Sequence, residues 1–284
     1  MSGTTVSNTN PYDDFTKRLQ LLCAKNPQLI ETTLSNVFTM RLLGNKTHGD
    51  LAEIAISEFI NQFMYDFQSR HVGKDLYRSK DNEEDISVIS EISGLEIPIS
   101  LKAYGDGPLQ LSTDKSSLMY PFLKSIGHRI EGSDLSAIWS LPEFAAFGGI
   151  NILPLIYRER SKECNILVFD SDRARNAVSY IALEKAGGRR KHPVYKFFDN
   201  QDQYICEVRY GGRTANALQR GLWTHTRHAY SYFDSLTGGW KSYSHNLTLV
   251  ELFSHALVST SVGHENALVS VKDDIIEMKE ARRR

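Results

Sequence analysis

The chain has 284 residues, of which 41% are hydrophobic and 24% charged, close to the averages of globular proteins, so wholesale disorder and fibrous repeats are excluded. Its 33 basic and 34 acidic residues leave a net charge of −1, so it lacks the global basic excess common in nucleic-acid binders. No apolar run approaches the roughly 18 residues of a spanning helix, and the polar start MSGTTVSNTNPYDD has no signal-peptide pattern, so a cytoplasmic location and no membrane partner are expected. Cys23, Cys164 and Cys206 are odd in number and far apart, which fits reduced, buried thiols.

Residues 1–11 are polar and without period and are expected to be disordered, with a single domain over 12–284. Helical spacing of apolar residues predicts helices over 14–24, 28–43 and 47–67, the last carrying Glu53 beside its apolar stripe. The period then changes to two. Residues 85–91, a turn at Ser93-Gly94, and residues 95–104 read as a β-hairpin, in which Pro98 belongs at an edge or a bulge. A short strand at 109–112 precedes Asp114, a candidate N-cap for a helix to Lys124. Further strands are expected at 150–157, 165–169, 194–198 and 204–210, and helices at 171–185, 249–257 and 272–283. The pattern predicts an α/β fold: a central mixed β-sheet flanked by helices, with an N-terminal helical cap.

Chemistry concentrates in the hairpin, about 85–112. Ser100 and Lys102 are two apart and share a strand face, and the hairpin brings Asp85 alongside them. An acid, a hydroxyl and an ammonium in one place suit phosphodiester hydrolysis, in which a carboxylate holds Mg²⁺ and a lysine stands beside the phosphate.

With Glu84-Asp85-Ile-Ser-Val, a turn, and Ile99-Ser-Leu-Lys-Ala-Tyr-Gly, this segment resembles the core of the PD-(D/E)XK nuclease superfamily, and the overall layout resembles a type II restriction endonuclease. The resemblance implies a restriction-endonuclease-like fold and a Mg²⁺-dependent, sequence-specific enzyme cutting double-stranded DNA. It also implies a homodimer, with Asp85 as metal ligand and Lys102 as catalytic lysine. Two positions depart from the pattern: Glu84 stands where proline is usual, and Ser100 replaces the second acid. Enzymes with Ser-x-Lys recruit another carboxylate. Glu53 on the upstream helix is the favoured replacement and Asp114 the alternative, whereas Glu96 lies about 13 Å along the strand, too far for the same ion.

From Ala186 to His228 eight Lys/Arg stand against three acids, leaving 25 basic against 31 acidic residues elsewhere. A basic segment on an acidic complement is expected where one face meets a polyanion. Within it Arg213, Asn216, Gln219 and Arg220 are of the types that read base edges bidentately. Thr224, Arg227 and His228, with Arg189, Arg190 and Lys191, suit phosphates. Glu207-Val-Arg mimics an acid-x-base pair but ranks below Ser100-x-Lys102, because arginine does not readily lose a proton. His48, His128, His225 and His245 match no metal-ligand spacing. Two other readings remain open: a non-catalytic DNA-binding protein on the same scaffold, and a repair or structure-specific nuclease.

Overall fold

A computed structural model describes residues 10–42, 45–72, 84–112, 118–188, 190–209 and 221–252, with isolated positions between 269 and 280. Three helices form the first layer: α1 (Pro11–Lys25), α2 (Pro27–Thr39) and α3 (Asn45–Phe63). The first begins at Pro11, inside the stretch expected to be disordered, where Asn10 Oδ1 accepts the Tyr12 amide at 3.1 Å. Proline opens both α1 and α2, where its missing N–H leaves nothing unsatisfied. Phe15 and Leu19, Ile30 and Leu34, and Ile56 and Ile60 recur at helical spacing and are buried together.

Against these helices lies a mixed sheet in the order β1-β2-β3-β6-β7-β12, formed by β1 (Phe67–His71), β2 (Ile86–Ser90), β3 (Glu96–Gly105), β6 (Ile152–Arg158), β7 (Glu163–Phe169) and β12 (Phe233–Ser235). The two-residue strand β13 (Lys241–Ser242) also pairs with β7. Only β3 and β6 run parallel; the other pairs are antiparallel. Alternation along β3 explains its two faces. Ile97, Ile99 and Leu101 join the core shared with the helices, and Ser100, Lys102 and Tyr104 take the opposite face. β3 is interior to the sheet, but β6 pairs with it only from Ser100 onward. Pro98 therefore sits where that side is locally free, and its carbonyl instead accepts from Asn151 Nδ2.

A second, fully antiparallel sheet was not foreseen in the sequence. Its order is β4-β11-β10-β9-β8-β5: β4 (Pro108–Ser112), β11 (Gly221–His225), β10 (Tyr204–Arg209), β9 (Val194–Phe198), β8 (Tyr180–Glu184) and β5 (Arg129–Glu131). Its inner residues, including Tyr195, Phe197, Val208 and Leu222, share a core with Ile152, Ile156, Leu167 and Phe169 of the first sheet. The first sheet is thus buried on both faces. Short helices α4 (Met119–Ile126), α5 (Ser133–Ile138) and α6 (Ser171–Ala177) complete the elements.

Two expectations need correction. The helix expected over 171–185 stops at Ala177, and residues 180–184 form β8, with Ile181 in the core and antiparallel pairing to β9. Here pairing overrides the helical propensity of Ala182, Leu183 and Glu184. The third helix ends at Phe63 rather than 67, because Phe67 starts β1 and packs edge-on against Phe15 at 5.5 Å. Asp114 lies outside the described residues, as do most of 249–257 and 272–283. The three cysteines are free and buried, and burial pushes the Cys23 and Cys164 thiols up to about 11 and about 12. Among the described residues no helix is long and apolar enough to cross a membrane.

One ion cluster ties the helical layer to the chain after β13. Glu159 accepts from Arg41 Nη1 at 3.1 Å and from Tyr243 Oη at 3.0 Å, and it contacts Lys162 and His245. Burial opposes its ionisation, but hydrogen bonds from Lys162, Tyr243 and His245 prevail and hold the carboxyl down at about 2. A depressed carboxyl contributes stability above its unfolded pKa, and that contribution is lost as pH falls through the folded value. Stability measured by urea unfolding is therefore expected to fall between about pH 4.5 and about pH 2, and Glu159→Gln to flatten that decline. An unchanged acid limb in the variant would remove Glu159 from the account.

Candidate active site

The hairpin of β2 and β3 builds the site. Ile86 pairs with Ile99 and Val88 with Ile97, placing four apolar side chains on the helix-facing core, all of them buried. Asp85, one residue before β2, extends this ladder: its amide donates to Ile99 O at 2.9 Å. Its carboxylate consequently lies over the polar face of β3. Asp85 Oδ2 accepts the Leu101 amide at 2.6 Å and the Ser100 hydroxyl at 3.1 Å, with Lys102 Nζ at 3.7 Å. Acid, hydroxyl and ammonium converge as the residue spacing predicts. Ser100 is only 2% exposed, whereas Lys102 keeps part of its side chain in solvent. At such a partly exposed position an ion pair is spared the full desolvation cost of burial.

Glu53 comes to this site from α3. Its carboxyl is raised from the ordinary value, first by burial and further by the charges of Asp85 and Asp50, while a hydrogen bond with His71 works in the opposite direction. A carboxylate that is partly desolvated and repelled by its neighbours is suited to a cation. Glu84, next to Asp85, is also buried. Glu96 is engaged elsewhere, bonded to Ser87 and 3.8 Å from Arg70, as its distance along the strand implied.

His71, the last residue of β1, was missed by the sequence reading. Its Nε2 lies 2.8 Å from Glu53 Oε2. The signal is weak: of the five residues Phe67–His71, the first falls in the helix expected over 47–67 and the other four carry no strand expectation.

Among the described residues, no group of three or more His, Cys, Asp or Glu side chains stands close enough to hold a metal ion. Mg²⁺ does not demand one, since it keeps several waters and is held by one or two carboxylates plus substrate phosphates. Asp85 and Glu53 fit that donor set, and Asp114 lies outside the described residues.

The basic segment is divided. Arg213, Asn216, Gln219, Arg220 and Arg189 lie outside the described residues. Arg190 donates to Glu184 at 2.8 Å and to the Lys185 carbonyl at 2.6 Å, Lys196 contacts the same glutamate, and Arg209 pairs with Glu207 at 2.5 Å over the Trp223 ring. Lys191 is exposed. Arg227 is 68% exposed and lies 3.5 Å from Asp106. Thr224, expected to face phosphate, is corrected: it is 1% exposed and donates its hydroxyl to Ile205 O at 2.7 Å, because β11 turns that side chain inward. Glu184 and Glu207, near in sequence, and Asp106, far from it, thus pair with much of the described basic run, while Lys191 and Arg227 keep exposed positive charge. In comparison with known proteins, no family model matches the chain, and neither a curated protein nor a solved structure does.

Proposed function

We propose that the protein is a Mg²⁺-dependent, sequence-specific endonuclease that hydrolyses phosphodiester bonds of double-stranded DNA, of the restriction-endonuclease kind. The observation that carries this reading is the meeting of Asp85, Ser100 and Lys102 on one face of a hairpin, with Glu53 within electrostatic reach. When bound by Asp85 and Glu53, Mg²⁺ would lower the pKa of a bound water and stabilise charge on the phosphate. Lys102 supplies a point charge beside the phosphoryl oxygens and orients the nucleophile. Ser100, through its hydroxyl, fixes one Asp85 oxygen and leaves the carboxylate plane set against β3. Arg213, Asn216, Gln219 and Arg220 are proposed to read bases, and Lys191 and Arg227 to meet phosphates, all on residue type and position in the chain. A two-fold homodimer in the cytoplasm would match a palindromic target with one site per strand.

A second reading has its own observation. Two donors of the protein already occupy Asp85 Oδ2 and the Lys102 ammonium stands 3.7 Å away, as expected if the hairpin has become a purely structural element of a non-catalytic DNA-binding protein. One digestion separates the readings. Phage DNA incubated with the protein and Mg²⁺ should yield discrete bands under the first and intact but retarded DNA under the second. Nicks or junction cuts without fixed bands would instead indicate a repair nuclease.

A further inference from the structure

The corner where α3 meets β1 stands beside the proposed site; Asn61 of α3 bonds the carbonyl and the amide of Ser69 at 2.9 and 2.7 Å, and a second tie joins His71 to Glu53. His71 Nε2 is 2.8 Å from Glu53 Oε2, and both side chains are partly screened from solvent. The histidine is fixed from below by the sheet. Its partner in β2 is Ile86, the residue after Asp85, and the next amide, Val72 N, donates to the Asp85 carbonyl at 3.1 Å. One short segment is therefore bonded through its backbone to Asp85 and through its ring to Glu53. Without that ring, Glu53 is a partly buried carboxylate facing the like charges of Asp85 and Asp50. Glutamate has three side-chain torsions and rotates readily towards water. A hydrogen bond from a ring held by the sheet opposes both tendencies, in the way outer partners orient ligating carboxylates in metal sites.

We propose that His71 is a positioning residue that holds Glu53 toward Asp85, so that the two carboxylates take one divalent cation. The inference rests on the nuclease reading and adds the residue that makes Glu53 the replacement for the acid missing at Ser100. In this role His71 donates from Nε2 and does not itself touch the ion. A helix-to-strand tie alone would give the same contact but leave cation affinity independent of it.

The test uses the full chain bound to random-sequence duplex DNA, with Mn²⁺ as a paramagnetic stand-in for Mg²⁺ and free Mn²⁺ read by electron paramagnetic resonance. His71→Ala is expected to weaken Mn²⁺ binding by about tenfold to hundredfold. His71→Gln, whose amide also donates, should recover most of that loss. Glu53→Gln and Asp85→Asn should each lose binding outright. Thermal unfolding in chelator accompanies each variant, and if His71→Ala does not fold, the comparison of His71→Gln with Glu53→Gln carries the test. Affinity within twofold of the parent in His71→Ala, with binding lost in Asp85→Asn, overturns the positioning role and leaves the nuclease reading in place. Equal loss in folded His71→Ala and His71→Gln makes the ring a ligand and also overturns it. Unchanged binding in Asp85→Asn overturns the cation site itself.

Discussion

Asp85→Asn is expected to lower the rate of DNA cleavage by about a thousandfold or more while leaving DNA binding in place, because it removes the charge that would hold the cation and keeps the shape. The local geometry favours a clean experiment. An asparagine Oδ1 still accepts the Leu101 amide and the Ser100 hydroxyl, which the parent carboxylate receives at 2.6 and 3.1 Å, so the hairpin keeps its bonds. Lys102→Ala should cost about a hundredfold to a thousandfold by removing the cation beside the phosphate. Its side chain is partly exposed, so little packing is lost. Ser100→Ala deletes one donor to a carboxylate that has others, and a few-fold loss is expected. Ser100→Glu sets a second carboxylate against Asp85 in a position only 2% exposed, so the variant should melt lower in chelator and recover with Mg²⁺. Cleavage at the parent rate in both Asp85→Asn and Lys102→Ala would end the nuclease assignment at this hairpin.

What the sequence revealed and what it hid follow from the range of each interaction. Alternation in residues 85–91 and 95–104 with a Ser-Gly turn is a local signal, and it gave β2, β3 and the shared face of Ser100 and Lys102. The strand β8 was hidden because Ala182, Leu183 and Glu184 favour helix on their own, and only the neighbouring β9 makes them a strand. With it went the second sheet. The pairing of Arg227 and Arg158 with Asp106, and of Arg190 with Glu184, joins charges that composition counts separately, so a local basic excess did not predict a bare cationic face. His71 was invisible for a similar reason. Its link to Glu53 spans 18 residues and depends on where α3 ends.

The helical layer must hold the hairpin for any of this chemistry to be possible, and Ile99 is where that dependence is most direct. The side chain is 0% exposed among the residues shared by the helices and the first sheet, while its carbonyl accepts the Asp85 amide at 2.9 Å. One residue thus packs the hairpin's back and bonds the face that carries Asp85. Ile99→Ala is expected to cost about 2–5 kcal/mol, since a buried isoleucine loses its transfer energy and leaves a cavity. Against a typical stability of about 5–15 kcal/mol, that loss brings the protein close to unfolding at 37 °C. Ile99→Val, which removes one methylene, should cost about 0.5–1.5 kcal/mol. Both are read from the urea midpoint at constant slope, which separates stability from a change in the unfolded chain. Ile86→Ala, the cross-strand partner on the same face, should behave alike, and the double variant should fall short of additivity because the two side chains share one cavity. A cost below 1 kcal/mol for Ile99→Ala would mean that the helices do not pack on the hairpin as tightly as this core requires. The position of Asp85 would then have to be fixed by the bonds to Ser100 and Leu101 alone.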